Sequence, residues 1–244
     1  MNSAVTMERI AEASPRPKAR ITGVVYLLYF LTAIVGEFLI RRIVGSGETA
    51  TTVNDILAHQ GLFRMGLATG LIANACYLAV TALFYNLFKP VNRSLSLLAA
   101  FFSVVGCVML AFGSLIHVAP LVVLGSSQYL SAFKVEQLRA LARMFLELYG
   151  QAVDICLVFF AFYDLLIGYL ILRSVFLPRI LGVGMAIAGL GCLTFLAPPL
   201  AIYLSPYILL VSFIAELSLC VWLLVIGVDV KRWKEQPGAA QEHP

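Results

Sequence analysis

The stretch "RMFLELYGQAVDICLVFFAFYDLLIGYLIL" runs from Arg143 to Leu172. It is apolar and long enough to cross a bilayer, which takes about 20 residues of helix. Yet Arg143, Glu147, Gln151 and Asp154 interrupt its first half at spacings of four, four and three. A helix turns about 100° per residue, so from Glu147 the other three lie at roughly −40°, +40° and −20°. The four side chains share one narrow face. Facing lipid, each ionised group near a helix centre would cost roughly 2.5–3.5 kcal/mol. The stripe is therefore expected to face the interior of a helix bundle or a wet cavity, and to pair there.

Outward from this segment the chain repeats the same theme. Of its 244 residues, 61% are hydrophobic and 12% charged, and the mean hydropathy is +0.94. A soluble domain carries about 45–50% apolar and about 25% charged residues, so the excess belongs to a bilayer rather than to a globular core. Six apolar runs follow one another, at roughly 21–43, 62–88, 95–118, 143–172, 180–199 and 206–228. None alternates with the period of two that a membrane strand requires, and each is too long for one. The fold class is all-α: a multi-pass membrane protein with six transmembrane helices in one bundle. The expected organisation is a tail at 1–20, a membrane domain at 21–230 and a second tail at 231–244. The first run has a basic lead but ends in Arg41-Arg42 with no small-residue cleavage site. It reads as a retained helix rather than a signal peptide.

The basic residues set an orientation. With both termini cytoplasmic, eleven of the seventeen Lys and Arg residues fall inside, including those of "KPVNR" at 89–93 and "RSVFLPR" at 173–179. The expected address is a bacterial plasma membrane. Two outer connections carry helical signals. "TTVNDILAHQGLF" opens with Thr52 and Asp55 in a capping-box-like pair, and it sets Val53, Ile56, Leu57 and Phe63 near one face. "VEQLRALARMF" does the same with Val135, Leu138, Leu141 and Phe145. Both are expected as short helices at the outer interface or over the bundle mouth. Pro198-Pro199 is expected to end the fifth helix, which leaves "PPLAIYLSP" as a short connection.

Depth along each helix then locates the polar residues. Glu37, Arg64, Asn74, Glu147, Gln151, Asp154 and Glu216 fall in the outer half or near the midplane, from four different helices. They form the candidate binding cluster, with Arg41 or Arg143 nearer its mouth. If they converge, acids outnumber buried arginines, and at least one carboxyl is expected to hold a proton. Asp164 stands apart: it lies deeper and is rotated about 100° from Glu147.

Other features carry packing rather than chemistry. Gly182, Ala186 and Gly189 in "LGVGMAIAGLG" allow close helix approach. Cys76, Cys107, Cys156, Cys192 and Cys220 sit inside apolar runs as small hydrophobes. Trp222, Trp233, Tyr26, Tyr29, Tyr169 and Tyr207 include candidate interface anchors. No GxSxG, HExxH, CxxCH or P-loop is present. No catalytic residue, metal set or cofactor is expected. The scattered basic residues form no stripe for nucleic acid. The implied partners are the lipid bilayer and a small molecule, ion or lipid as ligand; oligomeric state leaves no signal.

Several phrases together carry a resemblance: "ARITGVVYLLYF…GEF" at 19–38, "LFRMG" at 62–66, "LFKPVNRSLSLLAA" at 87–100, "YLSAF" at 129–133, "LVFFAFYDLLIGYLILRSVFLPRILGV" at 157–183 and "ELSLCVWLLVIGVDVKRW" at 216–233. In order and spacing they resemble the uncharacterised bacterial integral-membrane family known as domain of unknown function 4386, over roughly 19–233. The resemblance implies a multi-pass membrane protein and brings no activity, cofactor or catalytic residue. Three functions stay open: binding or transport of a small solute or ion, with or without proton coupling; an enzyme acting on a lipid or isoprenoid; and an accessory or sensory subunit whose ion pairs are structural.

Overall fold

The computed structural model describes residues 15–44, 55–125 and 133–236. The expected tails, apart from the residues that fall in these ranges, lie outside the described residues, as does Thr52 of the expected capping box. The described residues include the α-helices α1 (Pro15–Val44), α2 (Gln60–Phe88), α3 (Arg93–Val123), α4 (Val135–Arg173), α5 (Arg179–Cys192), α6 (Pro198–Val225) and the short α7 (Val230–Glu235). A 3₁₀ turn, Leu193–Leu196, extends α5. Six of these helices are long and apolar enough to cross a membrane, counting α5 with its 3₁₀ turn. The protein is a multi-pass membrane protein.

The chain divides into two compact units. Unit 1 comprises residues up to Leu27, Tyr77–Gly106 and everything from Leu157 onward. Unit 2 comprises Leu28–Cys76 and Cys107–Cys156.

In unit 1 the helices meet through small residues. A Cβ built on Gly168 of α4 would stand 2.8 Å from the Gly182 carbonyl oxygen and 2.9 Å from the Ala186 nitrogen of α5. One on Gly189 would stand 2.7 Å from the Ala161 carbonyl oxygen. These are backbone atoms, which cannot swing away, so the Gly182, Ala186 and Gly189 face is where α5 lies against α4. Lipid tails are as apolar as leucine, so close approach of backbones replaces the hydrophobic drive of a soluble core. Gly23 of α1 meets the Leu224 backbone of α6 at 2.6 Å in the same way.

The 89–92 connection also belongs to unit 1. Asn92 Oδ1 accepts from the Leu95 N–H at 3.0 Å and caps α3, where the first amides of a helix have no internal partner. Ser96 Oγ donates to the Tyr85 carbonyl, tying the start of α3 to the end of α2.

In unit 2, residues 55–58 make one helical turn that runs through His59 into α2. Ile56 is fully buried with Ile43, Phe63 and Leu121, so the shared apolar face read at Ile56 and Phe63 is a core face. Gly36 of α1 lies against the Gly66 carbonyl and the Gly70 nitrogen of α2.

Two expected connections belong to the long helices that follow them instead. "VEQLRALARMF" is no separate helix: α4 begins at Val135 and continues unbroken for 39 residues. Its apolar residues keep the helical period into the span, and nothing between Val135 and Arg143 stops a helix. "PPLAIYLSP" forms the opening turns of α6, with Pro198 and Pro199 in its first two positions. The first amides of a helix lack partners in any case, so proline starts α6 as well as ending the segment before it. Pro206 then sits inside the helix, depriving the Ile202 carbonyl of its usual donor.

Candidate functional site

Unit 2 holds six of the seven residues singled out from the sequence. Glu37 Oε1 accepts from Arg41 Nε at 2.6 Å, and Glu147 Oε1 accepts from Arg143 Nε at 2.7 Å. Both pairs span one turn of a single helix and are more than half exposed. Gln151 is exposed and Asp154 partly buried on the same helix as Glu147. Arg64 is exposed on α2 and, among the described residues, forms no ion pair. Asn74 is buried. Its Nδ2 donates to the Cys107 carbonyl at 3.0 Å and holds α2 to α3, while its Oδ1 is buried with no partner. The two ion pairs thus join Glu37 and Glu147 each to an arginine of its own helix.

His117, which the sequence did not single out, lies in the interior of unit 2, stacked on Tyr149 at 4.0 Å between centroids and meeting Phe63 edge-on at 5.0 Å. Glu37 is within electrostatic reach of the Tyr149 hydroxyl.

Unit 1 holds the seventh residue, Glu216, and an enclosed polar group around it. The Tyr26 hydroxyl of α1 donates to Glu216 Oε2 of α6 at 2.6 Å. Tyr26 is fully buried rather than at an interface, because an aromatic with a carboxylate partner satisfies its hydroxyl away from water. Its ring packs edge-on against Tyr77 and Phe84, and Tyr77 packs in turn against Phe160 and Tyr163. Beside them is Asp164 of α4, only 2% exposed, with Oδ1 buried and without a hydrogen-bond partner. Asp164 and Glu216 lie within electrostatic range of each other. Tyr26, Tyr77 and Cys192 lie within range of both acids, and Cys220 within range of Glu216. Among the described residues no basic side chain pairs with either acid. Other buried polar contacts of unit 1 are neutral: Thr81 with Ser103 at 2.6 Å, and Cys192 with Ser212 at 3.4 Å.

Asp164 is the residue that sequence reasoning set aside. On the same helix α4, Glu147 is exposed and Asp164 is buried. A usable signal existed: three tyrosines, Tyr26, Tyr77 and Tyr163, inside spans whose other residues are almost all apolar.

The family model described as "Domain of unknown function (DUF4386)" matches residues 21–227. No curated protein and no solved structure matches the chain.

Proposed function

The chain belongs to the family of domain of unknown function 4386, whose description names no activity, and from its residues we propose that it binds and carries a proton or small monovalent cation through the membrane at Asp164 and Glu216. The observation that carries this reading is the burial of Asp164, with an unpartnered carboxyl oxygen, next to a second acid and no base. Two like charges held together out of water cost several kcal/mol per ion unless a positive charge joins them. One proton or one alkali ion supplies it. The groups around the pair, Tyr26, Tyr77, Tyr163, Cys192 and Cys220, are phenols and thiols rather than ammonium or guanidinium groups. Intramembrane acids of this kind mark ion or proton routes by default. A structural ion pair would need an arginine or lysine that the described surroundings do not provide.

Glu37, Arg64, Asn74, Glu147, Gln151 and Asp154 take the second place in this proposal. The exposed charges among them would face water, since lipid exposure of an ionised group is costly. We place both termini on the cytoplasmic side, as the basic connections favour.

The test is ion flux in proteoliposomes under an imposed potential, read with a pH-sensitive dye and a sodium-sensitive dye. Infrared spectra of the same protein in nanodiscs accompany it. Uptake of one ion is expected, together with a carboxyl band that responds to that ion, and both should be lost in Asp164→Asn and in Glu216→Gln. Well-folded variants whose flux and carboxyl band match the unmutated protein would sink the proposal.

A further inference from the structure

A second feature of unit 1 lies at the opposite kind of surface, basic and open. Past Val225 the chain reverses at Gly227, whose φ of +75° suits a residue without a side chain. The Ile226 and Gly227 amides both donate to the Trp222 carbonyl and close α6. Asp229 then starts α7 by accepting from the Lys231 and Arg232 amides. At its far end Gln236 is buried and takes the Val175 N–H on its Oε1 at 3.4 Å. The turn and these two contacts hold the basic α7 beside the 174–178 connection.

Between them is a groove of about 710 Å³. Arg16, Lys231 and Arg232 supply its positive charge, and Asp229 its one acid. Phe176, Trp222 and Ile226 are among its apolar walls. The Arg16 side chain passes close to Gly227, where an added Cβ would come within 3.3 Å of its Cγ. Arg232 also lines an adjoining groove of about 630 Å³ with Arg179, so one guanidinium stands between two cavities. Its contact with Asp229 is long, 3.6 Å, and exposed, which leaves most of its donors open.

We propose that this groove binds the phosphate headgroup of an anionic phospholipid. A phosphodiester suits the guanidinium forks of Arg16 and Arg232. The apolar wall separates a lipid from a free phosphate, because an inorganic ion gains nothing from Trp222 or Phe176. Val225 and Ile226 are exposed next to the groove and offer an acyl chain a path into the bilayer. Basic pockets at the ends of membrane helices are the recurring setting for such headgroups. The site is independent of the Asp164–Glu216 pair and stands whether or not that pair moves an ion.

The experiment is native mass spectrometry of the full chain after exchange into mixed micelles with palmitoyl-oleoyl phosphatidylglycerol or the matching phosphatidylcholine. A third arm holds inorganic phosphate alone. Melting temperature is recorded in each. Retention of phosphatidylglycerol over phosphatidylcholine is expected, with no stabilisation by inorganic phosphate. Retention should weaken roughly five-fold for each charge removed in Arg16→Gln and Arg232→Gln, and return only in part in Arg16→Lys, which restores the charge without the fork. Should a glutamine variant fail to fold, salt raised from about 0.1 M to about 1 M should weaken retention by the unmutated chain. Equal retention of the two lipids, or salt-insensitive retention, overturns the proposal. Stabilisation by inorganic phosphate alone would convert the groove into a solute site and overturns the lipid assignment.

Discussion

Tyr26 and Glu147 show how little a residue's type says about its weight. The Tyr26 hydroxyl reaches Glu216 at 2.6 Å from 190 positions away, inside a fully buried cluster. Tyr26→Phe removes the donor and leaves a carboxyl oxygen with one partner fewer in an apolar setting. The expected loss is about 1.5–3 kcal/mol, the range for a hydrogen bond to a charged group, read as a lower denaturation midpoint in detergent. Glu147 also has a partner, Arg143 at 2.7 Å, but both are largely exposed and one helical turn apart. Glu147→Gln is expected to cost under about 0.5 kcal/mol in the same measurement. A large loss at Glu147 with none at Tyr26 would reverse the ranking of the two polar groups. The Glu147 face was legible beforehand, and Glu216 was named without its partner Tyr26. Four polar residues at helical spacing announce themselves, whereas a lone aspartate such as Asp164 gains meaning from neighbours on other helices.

Among the elements, the contact of α4 with α5 is close enough to exclude a side chain at two glycines. Gly189→Ala drives a methyl group to 2.7 Å from a backbone oxygen, and Gly182→Ala to 2.8 Å from another. Each is expected to destabilise by about 1–3 kcal/mol, the usual cost of overpacking. Gly70 and Gly150 have open space where a Cβ would go. Their alanine variants are expected to be neutral or to gain up to about 1 kcal/mol of helix propensity. Unfolding midpoints of the four variants, measured side by side, check both halves; equal effects would mean that the crossing is looser than its distances imply. The glycine face of α5 was readable from its spacing. The start of α6 was not, because proline is compatible both with the end of one helix and with the first turn of the next. The reach of α4 back to Val135 was missed for a related reason: charged residues interrupt hydropathy without interrupting a helix.

At the scale of the whole molecule, the charge asymmetry of the connections makes an orientation prediction. Alkaline phosphatase fused after Pro244 should be inactive and a fluorescent protein fused there bright, as for a cytoplasmic C terminus. The opposite pattern would invert the chain, and it would place the Arg16–Arg232 groove on the leaflet poorer in anionic lipid.

Sequence alone determined that this chain crosses a membrane six times as helices, and that polar residues enter those helices. Both are local properties, since twenty apolar residues need a bilayer whatever surrounds them. It also placed the chain's resemblance, and the family match at 21–227 agrees. Tertiary structure alone decided which polar residues are enclosed. A helical period says that Glu147 and Asp164 point in different directions, and it cannot say which direction is inward. That depends on where Tyr26 and Glu216 arrive, on helices 138 and 52 positions away in the chain from Asp164. Burial is a property of the assembled helices, and so is the proposed ion site built from it.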